Sequence, residues 1–317
     1  MTGIMTDVAL ARPDLALDIV HDNRHVLPDQ PLARESIPYL IHLPDDGIAA
    51  FTYTWVNRAG DAGAALAIFG PGVGDAPIQQ KLADRPVPAS MDFADWQIDG
   101  FSMQQDLRFN SATVRWEHPQ ATLAFSYAAF HPPYAYGAHR DGCPPYAATN
   151  RIEQSGYVTG QLALGERVII FDTGGHRDHS WGTRDWGAFQ HYNWFQGQTA
   201  DGVSVHYWKI LVGGREHLRG YVCKDGLMAE VTAVTSDIKM DASLWQQQLT
   251  ARVVDEAGRT TEIIADFYAH YTLEADPALH LREGAARATF DGQSGLGWLE
   301  VAWPPAYLAH AMANGPY

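Results

Sequence analysis

Alternation with a period of two, repeated along the chain between short turn-forming stretches, limits most strongly what this sequence can fold into. Around Leu249, Ala251 and Val253 apolar residues take every second place, and the run stops at Glu256-Ala-Gly-Arg259. Residues 261–273 then return with Ile263, Ala265, Phe267 and Tyr271 on one face. Side chains two apart share a face of a strand, so each segment buries one side of a sheet and the turn between them makes an antiparallel hairpin. Phe51-Thr-Tyr-Thr-Trp-Val56, followed by Asn57-Arg-Ala-Gly60, predicts a second hairpin, and residues 122–130 place Leu123, Phe125 and Tyr127 on one face. Further strands are expected at 167–171, 203–212, 217–223, 227–234 and 296–303.

Long amphipathic helical windows are missing, so the fold class is all-β, with one helical turn expected near 304–312. Residues 1–30 read as an irregular lead-in, limited by Pro13, Pro28 and Pro31. Asp46-Gly-Ile48 leads into Phe51-Thr-Tyr-Thr-Trp55 much as Asp201-Gly-Val203 leads into His206-Tyr-Trp208, which suggests a duplication. The expected division is two similar β units, 31–160 and 161–317, the second carrying the charged motif described below.

Composition bears on partners. Apolar residues make up 46% and charged residues 19%, which excludes a mostly disordered chain. The formal charge of −15 repels phosphate backbones and anionic lipid, so no nucleic acid and no membrane surface is expected as partner. No apolar run reaches the length of a bilayer span, and the lead-in lacks the basic start and unbroken apolar stretch of a secretory signal. A cytoplasmic location is therefore expected, with Cys143 and Cys223 as free thiols.

The most unusual stretch is Gly174-Gly-His-Arg-Asp-His-Ser-Trp-Gly-Thr-Arg-Asp-Trp-Gly187. If it is extended, His176, Asp178 and Ser180 share one face, and Arg177, His179 and Trp181 the other. Polar groups then point both ways, and one way is the interior. A buried carboxylate must pair with a cation or take up a proton, so Asp178 and Asp185 are either bridges to Arg177 or Arg184 or proton donors at neutral pH. A metal reading would start from His176 and His179 with His191 and His206, but no HExxH accompanies them, and neither a metal nor a cofactor is expected. No nucleophile elbow surrounds Ser180, and Gly70-Pro-Gly-Val-Gly74 is a turn rather than a phosphate loop. Trp181, Trp186, Tyr192, Trp194, Phe195, Tyr207 and Trp208 crowd behind the motif, where ring faces could line an apolar pocket or shield a cation.

Together, Gly175-His-Arg-Asp-His-Ser-Trp-Gly-Thr-Arg-Asp-Trp186, Ile152-Glu-Gln-Ser-Gly-Tyr-Val-Thr-Gly160, Arg34-Glu-Ser36 and Asp291-Gly-Gln-Ser-Gly-Leu-Gly-Trp-Leu-Glu300 resemble the lipocalin-like proteins related to carotenoid 1,2-hydratase (hydroxyneurosporene synthase). That group includes kievitone hydratase-like and fungal Diels–Alderase members. The resemblance implies two lipocalin-like antiparallel β-barrel or β-sandwich domains with a ligand pocket near their junction. It also implies hydration, dehydration, cyclisation or isomerisation of a small apolar, unsaturated molecule, isoprenoid-like (terpenoid) or polycyclic.

The leading expectation is a hydro-lyase or isomerase. Asp178 or His179 donates the proton, Asp185 with Arg184 orients it, and Trp181, Trp186 and Tyr192 shield the cation, while His176, Trp194, Tyr207 and Glu300 complete the substrate contacts. Two alternatives stand beside it. One is a non-enzymatic carrier of a hydrophobic ligand, and the other a carbohydrate-active enzyme pairing Asp178 with Glu300.

Overall fold

The computed structural model describes residues 8–315, so the first seven residues of the expected lead-in lie outside it. Twenty strands and one helix account for most of the described chain. β1 (Ala9–Leu10) adds to the second of two sheets. The first sheet holds β2 (Ala33–Leu43), β3 (Ile48–Asn57), β4 (Asp61–Phe69), β5 (Ile78–Pro86), β6 (Trp96–Ile98), β7 (Phe101–Gln105), β8 (Ser111–His118), β9 (Ala121–Ala129), β10 (Tyr134–Ala135), β11 (Asn150–Leu164) and β12 (Arg167–Thr183). The second holds β13 (His191–Thr199), β14 (Ser204–Val212), β15 (Arg215–Lys224), β16 (Leu227–Met240), β17 (Gln246–Asp255), β18 (Thr260–Asp276), β19 (Leu279–Phe290) and β20 (Gln293–Trp303), followed by α1 (Pro305–Asn314). The expected hairpins are β3–β4 and β17–β18, and the expected helical turn is α1.

In the second sheet each strand pairs antiparallel with the next, and β20 returns to pair with β13, so eight strands close into a barrel. In the first sheet the order is β5-β4-β3-β2-β12-β11-β9-β8-β7-β6, a nearly closed barrel whose two end strands are β5 and β6. The all-β, lipocalin-like architecture is thus as expected. The domain boundary is not: β12 pairs with β11 along its whole length and with β2 on its other side, so a division at 160/161 would cut through the longest hairpin of the first barrel. The motif strand belongs to the first barrel, and the chain crosses to the second between Thr183 and His191. Strand pairing set this boundary, and alternation within single strands carries no information about pairing.

Three large apolar cores follow from this arrangement, beside two small ones. Tyr39, Ile41, Trp116, Leu123 and Phe125 fill the first barrel. Phe195, Tyr207, Val222, Leu249 and Phe290 fill the second. Leu40, Phe51, Tyr134, Tyr192, Trp194, Trp208 and Trp298 pack between them. On β2, Tyr39 and Ile41 point into the first barrel while Leu40 points into the seam, so a strand at the junction is buried on both faces and loses the polar half of its alternation. No helix among the described residues is long and apolar enough to cross a membrane.

Candidate active site

β12 carries the motif as a strand, and its parity sends His176 and Asp178 into the seam and Arg177 and His179 toward the first barrel. β11 lies directly beside it, with Glu153 opposite Asp178, Ser155 opposite His176 and Arg151 opposite Ser180. From the second barrel β13 supplies Tyr192 and Trp194, β14 supplies His206 and Trp208, and β20 supplies Trp298 and Glu300. Between these walls lies a cavity of about 890 Å³, lined by Arg151, His176, Asp178, Arg184, Trp186, Tyr192, Trp194, Trp208, Glu283, Trp298 and Glu300, with Leu40, Phe51, Tyr53, Phe189, Tyr271 and Leu281 among its apolar and aromatic surfaces.

One guanidinium serves two buried carboxyls. Arg151 donates from Nε to Glu153 Oε1 at 2.6 Å and from Nη2 to Asp178 Oδ2 at 2.6 Å. Glu153 also accepts from Trp194 Nε1 at 3.0 Å and stands 2.8 Å from His176 Nε2. Burial alone would raise its pKa, but the Arg151 guanidinium first and the hydrogen bond from His176 outweigh that and hold it well below the usual carboxylate range. Asp178 has fewer partners. Burial pushes it up, Arg151 only partly offsets this, and the neighbouring Glu153 charge adds to the rise, which carries Asp178 to about 7. Two carboxyls facing one cation leave one charge in excess, so the better hydrogen-bonded Glu153 stays ionised and Asp178 holds the proton.

The imidazoles around this pair are neutral bases. Burial lowers His206 to about 3. Its Nδ1 lies 2.9 Å from the Phe195 carbonyl, which only accepts, so Nδ1 carries the hydrogen and Nε2 faces the Tyr136 hydroxyl at 2.7 Å. Burial also lowers His176, against the pull of Glu153.

Across the cavity a second carboxyl pair sits on neighbouring strands of the other barrel, Glu283 on β19 directly opposite Glu300 on β20. Trp298 Nε1 donates to Glu283 Oε2 at 2.7 Å, and the Tyr192 hydroxyl donates to Glu300 Oε1. Burial raises Glu283 well above the ordinary value, and the charge of Glu300 and the hydrogen bond between the two carboxyls raise it further, so the pair shares a proton.

The expected site residues divide accordingly. His176, Asp178, Arg184, Trp186, Tyr192, Trp194 and Glu300 line the cavity. His179 and Trp181 do not, because they have the opposite parity on β12: His179 Nε2 meets Glu35 Oε1 at 2.6 Å, and Trp181 stacks on His25. Tyr207 stacks on Phe195 inside the second barrel, one residue out of phase with His206 and Trp208. Asp185 lies past the end of β12, exposed, where its carboxylate caps the turn at Gly187 N, so it orients nothing in the cavity. Arg151, Glu153 and Glu283 escaped sequence reasoning. Their signal was a strand alternation with an ionisable group on the buried face, as in Arg151-x-Glu153 and Leu281-x-Glu283.

A cavity lined by shifted acids at the seam of two antiparallel barrels defines a two-barrel, lipocalin-like protein with a candidate site between its barrels. Within that class the chain belongs to the family described as Domain of unknown function (DUF7064), which it matches over residues 18–305. No curated protein matches it in sequence. Among solved structures it is similar to an AttH protein from Nitrosomonas europaea, with 16% identity, a TM-score of 0.64, and 93% of this chain and 99% of that one covered. It is similar to kievitone hydratase from Nectria haematococca, with 9% identity, a TM-score of 0.62, and 95% and 97% covered. CghA, solved with Sch210972, gives 12% identity, a TM-score of 0.58, and 86% and 88% covered.

Proposed function

We propose that this protein is an acid-catalysed lyase or isomerase that adds or removes water, or closes a ring, on a small apolar unsaturated molecule held between the barrels. The observation that carries this reading is Asp178: a carboxyl on the cavity wall, beside aromatic faces, that keeps its proton up to about pH 7. Asp178 protonates an alkene carbon or a departing hydroxyl, and its new negative charge falls to Arg151, already 2.6 Å away. The positive charge that develops on the substrate lies against Trp194, Trp208 and Trp298, where ring faces stabilise it by about 0.5–2 kcal/mol each. Glu300, which accepts a hydrogen bond from the Tyr192 hydroxyl on the opposite wall, takes the proton from a neighbouring carbon or from incoming water. The two-barrel fold is shared with a protein named as a hydratase, which agrees with this chemistry at the level of architecture.

The test is incubation with a panel of apolar tertiary alcohols and the corresponding alkenes, read by mass spectrometry as loss or gain of one water. Turnover in the wild type that drops by about 10²–10⁴ in Asp178→Asn is the expected result. Full turnover by that variant would remove the donor role. A wild type that returns every probe unchanged while gaining thermal stability from one of them would be a carrier, with the Arg151–Asp178 pair as a structural clasp.

A further inference from the structure

The motif strand has a second charged face that the cavity does not use. There His179 sends Nε2 to within 2.6 Å of Glu35 Oε1 on β2, and His25, from the lead-in, sends Nδ1 to within 2.7 Å of the same oxygen. Glu35 and His179 are fully buried, while the His25 side chain retains 15% of its exposure. All three donor atoms lie within 4.8 Å of one another.

We propose that Glu35, His25 and His179 form a binding site for one zinc ion, with water as fourth ligand on the partly open side near His25. Two imidazole nitrogens and a carboxylate oxygen suit this borderline divalent cation. Charge supports the assignment. Other fully buried acids of this barrel have an arginine, as Asp22 has Arg177 and Glu153 has Arg151, whereas among the described residues no Lys or Arg pairs with Glu35. A bound dication would supply the fixed positive charge that this buried carboxylate lacks among the described residues.

His25 and Glu35 are also held from behind. The His25 amide donates to Glu35 Oε2 at 2.9 Å, and His25 Nε2 lies 2.9 Å from His21 Nδ1, the kind of outer partner that fixes a ligating imidazole. Trp181 stacks on the His25 ring with centroids 3.9 Å apart, and the Phe93 ring packs at right angles to His179. Seating zinc at about 2.0–2.2 Å from each ligand asks the two imidazole nitrogens to draw back from Glu35 Oε1 by roughly 0.7 Å, a matter of small side-chain rotations. The other cluster of this type, Glu153 with His176 and His206, already has the Arg151 guanidinium 2.6 Å from its carboxylate, and a second cation there would be repelled.

Full-length protein stripped with a chelator and dialysed is titrated with zinc chloride against a chromophoric competitor, and X-ray absorption at the zinc edge reads the ligand set. The expected result is one equivalent per chain in the wild type, an edge signature of two imidazoles with oxygen, and a higher melting temperature with zinc than without. His25→Ala, which changes a ring on the partly exposed lead-in, keeps its circular-dichroism spectrum and loses the equivalent, as does Glu35→Gln. A wild type that retains no zinc, or a folded His25→Ala that retains the full equivalent, overturns the assignment. Either result leaves the water-addition test at Asp178 unaffected.

Discussion

Asp178 and Glu153 stand opposite each other on neighbouring strands, and the difference between them comes from the number of donors each receives. Because Asp178 is raised to about 7, its acid form prevails below that pH, and a rate that depends on its proton falls as pH rises through it. Glu153→Gln removes the neighbouring negative charge and leaves Arg151 to Asp178 alone, so the Asp178 acid form loses support. The falling limb of the pH–rate profile then moves to lower pH, and turnover at neutral pH declines. A limb that stays in place would show that Glu153 does not set the acidity of Asp178. At this scale the alternation in sequence separated His176 and Asp178 from Arg177 and His179, as the structure does. What it could not supply was which face meets the ligand, because β12 is buried on both. Asp185 was unreadable for a simpler reason: parity ends where the strand ends, at Thr183.

At the scale of elements the site depends on how closely β11, β12 and β2 approach. Gly175 on β12 faces Gly156 on β11, and a Cβ at Gly175 would stand 2.2 Å from Val158 Cγ2 and 2.7 Å from the Leu40 carbonyl oxygen. A side-chain methyl can rotate away, but a carbonyl inside a paired strand cannot. Gly175→Ala therefore costs about 1–3 kcal/mol by overpacking, read as a lower urea midpoint. An unchanged midpoint would mean that β2 and β12 have slack which the observed packing does not suggest. The hairpins β3–β4 and β17–β18 were legible because each joins a run of alternation to a short turn. The β11–β12 pair was harder to see. Its connection is also short, at Gly165 and Glu166, but the charged motif that follows has little β propensity, and its burial against a second barrel sustains it as strand.

For the molecule as a whole, the question is whether one closed and one nearly closed barrel behave as two folding units. Each has its own core, which by itself favours independent unfolding. The seam opposes this. It buries Tyr192, Trp194, Trp208 and Trp298 against Leu40, Phe51 and Tyr134, and it places the Arg151–Glu153–Asp178 group of the first barrel under Trp194 of the second. Separating the barrels would expose that aromatic surface and leave ionised groups without the indole that now excludes water from them, so unfolding of either barrel removes support from the other. Tryptophan fluorescence, to which Trp194, Trp208 and Trp298 of the seam contribute, and far-ultraviolet circular dichroism, which follows the strands of both barrels, should give coincident urea transitions. Two separated transitions would show instead that the cavity lies between independently stable barrels, and that ligand entry could occur by parting them without unfolding either.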